Sequence, residues 1–131
     1  MKKVVFVCVE NSCRSQMAEG FARLYGAGKV EAHSAGSRPS GKVNATAVAV
    51  MREKGVDLLD HSSKGLSDLP PGKWDAVVTM GCGDACPSLA AARRVDWALP
   101  DPKRMPLEEF REVRDEIEAR VKALIDELAR A

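Results

Sequence analysis

The sequence is short of several things, and each shortage narrows what the chain can be. No apolar run in its 131 residues approaches the roughly 20 residues a membrane span requires. Neither sign of charge is in excess: 20 Lys and Arg face 19 Asp and Glu. That balance leaves no basic footprint for nucleic acid and no patch for anionic lipid. The N-terminus "MKKVVFVCVENS" turns polar too soon for a signal peptide and carries no small-residue cleavage site. There is no linker, internal repeat or low-complexity segment. The expectation is a cytoplasmic monomer, one domain over residues 1–131, with no nucleic-acid or membrane partner.

Histidine occurs twice and tyrosine once. His33 and His61 read as satisfied surface or edge groups, and Trp74 and Trp97 as packing at sheet edges. Cysteine, by contrast, occurs four times, at 8, 13, 82 and 86. Static disulfides are disfavoured in the cytosol, so such cysteines are catalytic, redox-active, metal-bound or buried. The spacings "CVENSC" and "CGDAC" do not match the paired ligands of structural zinc sites, and no metal is expected.

Residues 2–8, "KKVVFVC", form a nearly continuous β-branched apolar run, as in a strand buried on both faces. A helix is expected over 15–26, with Met17, Phe21 and Leu24 on its apolar face. A strand over 29–36 follows, then a turn-rich loop over 37–42 and a helix over 43–55. Residues 57–74 read as a loop with a short helix, and 75–80 as another buried strand. "GCGDACPSLAAAR" (81–93) reads as a glycine-rich loop entering a helix, with Pro87 suited to its first turn. A short strand is placed at 94–99 and a proline-rich loop at 100–106. From Leu107 on, apolar residues recur every three or four positions, the mark of a long amphipathic helix. Alternating strands and helices predict an α/β domain: a four-stranded parallel sheet flanked by helices on both faces.

In such a sheet, ligands bind outside the carboxyl ends of the strands. Cys8 ends the first strand there. The loop Val9, Glu10, Asn11, Ser12, Cys13 then meets a helix whose free N–H groups point back into it. Successive loop amides and a helix N-terminus make an anion cradle. Arg14 adds a bidentate fork for a tetrahedral oxyanion. Ser15 can cap the helix or donate to sulfur, and Asn11 can brace the loop. This setting favours a thiolate at Cys8 and makes it the candidate nucleophile. Asp101, between two prolines in "LPDPKR", sits in a loop at the same sheet edge and is a candidate general acid.

These elements resemble the low-molecular-weight protein tyrosine phosphatases. That family carries Cys, five residues, Arg and Ser or Thr after its first strand, and an Asp-Pro loop near its C-terminus; here they stand as "CVENSCRS" and "PDP". "VVTMGCGDACP", "HSAGS" and "DHSS" are similar to segments of the thioredoxin-coupled arsenate reductases, which share the fold. Two departures stand out. "CGDAC" has three residues between its cysteines where the best-studied reductases have six, and "DPKRM" lacks the tyrosines that frame phosphotyrosine.

The resemblance implies a sequence of steps. The Cys8 thiolate attacks arsenate while Asp101 protonates the departing oxygen. Cys82 then attacks Cys8 sulfur, arsenite leaves, and Cys86 resolves the resulting disulfide. Thioredoxin, as an external dithiol, regenerates the protein, and phosphate binds as an analogue. No bound cofactor is implied. In part of this branch a potassium ion lies beside the loop, at positions matching Asn11, Glu19 and Ser34; its acidic ligand falls at Lys64, whose ammonium would replace the cation. Cys13 is assigned no catalytic role. Two other readings stand beside this one: a phosphatase of phosphotyrosine or small phosphomonoesters, which needs Cys8, Arg14 and Asp101 only, and a non-catalytic oxyanion- or metalloid-binding protein.

Overall fold

The strand β1 (Lys2–Cys8) is the hub of the molecule, paired in parallel with β2 (Val30–Gly36) on one side and β3 (Trp74–Thr79) on the other. The edge strand β4 (Ala91–Asp96) pairs in parallel with β3, giving the order β2-β1-β3-β4. The helices are α1 (Arg14–Tyr25), α2 (Ala45–Arg52) and α3 (Leu107–Arg130); short 3₁₀ turns occupy Leu66–Asp68 and Pro102–Arg104. This computed structural model describes residues 1–81 and 89–130.

Side chains of β1 alternate between two cores, as strand geometry requires. Val4, Phe6 and Cys8 enter the larger one, with Met17 and Phe21 of α1, Val50 and Met51 of α2, and Phe110, Ile117 and Val121 of α3. Val5 and Val7 enter a smaller one with Trp74 and Val77, against Leu66 of the first 3₁₀ turn and Leu69 just after it. Among the described residues, α1, α2 and α3 cover one face and the turn at Leu66–Asp68 packs on the other. Asn44 starts α2, its Oδ1 accepting from Thr46 N and Ala47 N at 2.9 and 3.0 Å. The buried Arg114 of α3 donates to the Val50 carbonyl at 2.9 Å and to Glu53, tying α3 to the end of α2.

Several expectations shift. Leu24 and Leu107 are each 47% exposed. The buried apolar stripe of α1 is Met17, Ala18, Phe21 and Ala22. The last strand begins at Ala91, so residues 91–93 are not helical. Ala91 and Arg93 pair with Trp74 and Ala76, and the β-ladder outweighs the helical preference of the alanine run. The rest of the helix-entry reading, and Cys82 and Cys86 with it, lies outside the described residues. Trp74 and Trp97 are buried in the cores, Trp97 packing on Phe6 with ring centroids 5.9 Å apart.

Candidate active site

Strand order reverses at β1, with its neighbours running away on either side; such a switch point opens a crevice at the carboxyl end. Residues 9–13 fill that position, between the end of β1 and the start of α1. Their carbonyls are turned outward and satisfied there. Cys8 O accepts from Ser37 N at 3.2 Å, Val9 O from Arg38 N at 2.8 Å, Glu10 O from Ser40 N at 3.0 Å, and Ser12 O from Asn44 N at 3.0 Å. Among the described residues, no acceptor meets the backbone N–H of Glu10, Ser12, Cys13 or Arg14. A loop with occupied carbonyls and free amides is an anion receptor.

Cys8 lies at its floor, 2% exposed. Its Sγ is 2.8 Å from Ser15 Oγ and accepts from Asn11 N at 3.3 Å. Asn11 holds the loop in shape. It has φ +51°, Nδ2 donates to Ser15 Oγ at 2.7 Å, and Oδ1 accepts from Gln16 Nε2 at 2.9 Å and Lys64 N at 2.7 Å. A left-handed residue other than glycine is uncommon, and asparagine is among the side chains that tolerate it.

Two segments buttress this loop from outside. In "HSAGS", Gly36 lies so close that a Cβ there would sit 2.5 Å from Val9 O and 2.9 Å from Asn11 N. In "DHSSK", Ser63 Oγ donates to Glu10 O at 2.9 Å and Ser62 O accepts from Gln16 Nε2 at 2.9 Å. Half-buried His61 meets Gln16 Oε1 through Nδ1 at 3.1 Å, and burial lowers its pKa. His61 therefore belongs to the network under the loop, whereas His33 pairs with Glu31 at the sheet edge.

Arg14 is 7% exposed. Its Nη1 donates to the carbonyls of Met80, just past β3, and Leu99, just past β4, at 2.6 and 3.1 Å. Its Nη2 is 3.9 Å from Asp101 Oδ2. Gly81, at φ +79°, makes room: a Cβ there would meet both Arg14 Nη1 and Leu99 O at 3.1 Å. The fork thus joins the first loop to the ends of two strands and faces the expected acid. Cys13 is buried, accepts from Ser12 Oγ at 3.8 Å, and has its pKa pushed up to about 11, chiefly by burial. It is packed in the larger core.

The positions matching a potassium site do not fit a potassium ion. Glu19, 1% exposed, already meets two cations: Arg23 Nη2 on Oε2 and Lys64 Nζ at 3.4 Å on Oε1. Ser34 Oγ also donates to Glu19 Oε1, and Asn11 Oδ1 has two donors of its own. The cationic charge at this place comes from the side chains themselves.

Five placed features bear on chemistry: a floor cysteine, an amide-lined loop, a helix start, a guanidinium and a facing carboxylate. They lie together at the carboxyl end of a parallel sheet whose strand order switches at β1. The chain belongs to the low molecular weight phosphotyrosine protein phosphatase family, whose profile matches residues 3–131. It is 42% identical over 132 residues to a glutaredoxin arsenate reductase of Synechocystis sp., covering 98% of this chain and 100% of that one. A solved structure of an arsenate reductase in the phosphate binding state superposes with TM-score 0.90 at 43% identity, over 98% of this chain and 99% of that chain. A Corynebacterium glutamicum thioredoxin-dependent arsenate reductase superposes with TM-score 0.80 at 32% identity, over 98% of this chain and 62% of that one.

Sequence reasoning reached Cys8, Asn11, Arg14, Ser15 and Asp101, and these do converge. It passed over Gln16, which reads as an ordinary polar helix residue. It also passed over the ion pair between Glu10 and Lys103, which joins positions 93 residues apart.

Proposed function

We propose that this chain is an arsenate reductase that works through a Cys8 nucleophile and a thiol relay. The observation that carries the reading is Cys8 Sγ, met by the Asn11 N–H and the Ser15 hydroxyl at the floor of the amide-lined loop. Arsenate matches phosphate in shape and charge, so the same cradle takes either. Full-length similarity to arsenate reductases supports arsenate as the substrate.

In the first step the Cys8 thiolate attacks arsenic. An As–O bond breaks, and Asp101 passes its proton to the departing oxygen, which leaves as water. The Arg14 guanidinium and the backbone amides of Glu10, Ser12, Cys13 and Arg14 stabilise the charge on the arsenate oxygens. Cys82 then attacks Cys8 sulfur. The electrons of the S–As bond pass to arsenic, reducing As(V) to As(III). Arsenite leaves, and a Cys8–Cys82 disulfide remains. Cys86 attacks Cys82 sulfur and frees Cys8, leaving Cys82–Cys86 to be reduced by an external dithiol. The relay rests on the "CGDAC" motif and the family resemblance.

Thioredoxin is the reductant this relay calls for, and the thioredoxin-dependent neighbour supports it. The name of the Synechocystis relative favours glutaredoxin as a second reading. Arsenate-dependent NADPH oxidation tests both: one assay coupled through thioredoxin and thioredoxin reductase, the other through glutaredoxin, glutathione and glutathione reductase. Turnover in the first is expected. Turnover in the second alone would reassign the reductant. Turnover in neither would refute the reductase reading.

A further inference from the structure

Asp101 stands on an exposed loop, and a general acid is effective only when held in place. One residue meets it from within that loop. Lys103 N donates to Asp101 Oδ1 at 3.1 Å, which leaves Oδ2 toward Arg14 Nη2. The same residue reaches across the site. Lys103 Nζ contacts both carboxylate oxygens of Glu10, at 2.9 and 3.3 Å. Glu10 belongs to the anion loop, where its own carbonyl is fixed by Ser40 N and Ser63 Oγ. Glu10 and Lys103 also line one open cavity of about 350 Å³ beside the loop, together with Ser12, Lys42 and Asn44.

We propose that Lys103 is a positioning residue for the general acid, its ammonium latching the acid loop to Glu10 across the mouth of the anion loop. The inference rests on the reductase reading and adds a part to it. A further feature supports the latch. A carboxylate at the mouth of an anion site repels its substrate unless neutralised, and Lys103 pairs with Glu10 there. The hydrogen bond to Glu10 raises the pKa of Lys103.

The pair is half-exposed, with side chains 45% and 37% accessible. Exposed ion pairs contribute little, which sets the expected effect at roughly three- to five-fold. The experiment measures arsenite released in a single turnover by fully reduced protein, at saturating arsenate and without external reductant. Lys103→Met is expected to slow release three- to five-fold, and Lys103→Arg to restore it to within two-fold. Because Lys103 acts through Asp101, Lys103→Met should add nothing to Asp101→Asn. Raising salt from 50 mM to 1 M should bring wild type toward Lys103→Met. Full activity in Lys103→Met, or an effect that persists on the Asp101→Asn background, would overturn the latch. No arsenite from wild type would overturn the reductase reading instead, and orthophosphate binding to the same variants would then judge the Glu10 charge alone. Tighter binding in Glu10→Gln and weaker binding in Lys103→Met are what the latch requires there; equal binding in both would refute it.

Discussion

Arg14 Nη1 donates to the carbonyl of Leu99 at 3.1 Å, two residues before Asp101. The guanidinium that would grip the oxyanion also anchors the loop that would supply its proton. A lysine at this position keeps the charge but loses the planar fork. Arg14→Lys is expected to weaken orthophosphate binding about 10- to 100-fold, the effect of one or two charge-assisted hydrogen bonds. Calorimetric titration checks this. Binding within two-fold of wild type would show that the fork is not used on the anion.

Gly36 supplies clearance rather than flexibility. A methyl group there would be 2.5 Å from Val9 O, where backbone cannot yield cheaply. Gly36→Ala should cost roughly 1–3 kcal/mol of stability in urea unfolding and abolish most phosphate binding. Gly65→Ala is the control. Its new Cβ would find nothing nearer than 3.5 Å, so it should be neutral or slightly stabilising.

Glu19 is buried with Lys64 and Arg23 on its two oxygens. Exchanging sodium for potassium at constant ionic strength should therefore leave arsenate turnover unchanged. Lys64→Ala should lower stability by about 1–2 kcal/mol, since it strips one cation from a buried carboxylate. A marked potassium activation of wild type would contradict the assignment of Lys64.

Cys13 has its pKa raised by burial to about 11 against a reference of 9.0. Folding therefore favours its neutral thiol. The resulting stability is fully present below about pH 9 and is lost as pH rises through the folded value. Wild type should lose more stability than Cys13→Ala between pH 9 and 11. In a brief iodoacetamide pulse at pH 8, peptide mapping should find Cys13 unmodified, as its thiolate is about one part in a thousand there. Rapid labelling of Cys13 in the folded protein would contradict this.

Much of the architecture was legible because it rests on local pattern. The unbroken apolar run of β1, the period of α3 and the Cys-to-Arg spacing all follow from contacts within a few residues. β4 was misplaced by three residues because its start is decided by Trp74 and Ala76 across the ladder, which no local propensity reports. The loop residues Cys8 to Ser15 were readable because a strand end, a loop and a helix start follow one another in the chain. Their supports were not: Gln16 acts through Ser62 and His61, Gly36 through Val9, and Lys103 through Glu10, each fixed by tertiary approach. The two later cysteines were singled out by sequence and resemblance, and their roles rest on those.

The most direct test of the account is a thiol count after one equivalent of arsenate is added to the fully reduced protein. The account predicts one arsenite released, two thiols lost and a Cys82–Cys86 disulfide by peptide mass spectrometry. Cys8→Ser should release no arsenite, and Cys82→Ser should stop at the Cys8 adduct. Unchanged thiols and no arsenite, with p-nitrophenyl phosphate hydrolysis surviving both Cys82→Ser and Cys86→Ser, would contradict it and make this chain a phosphatase.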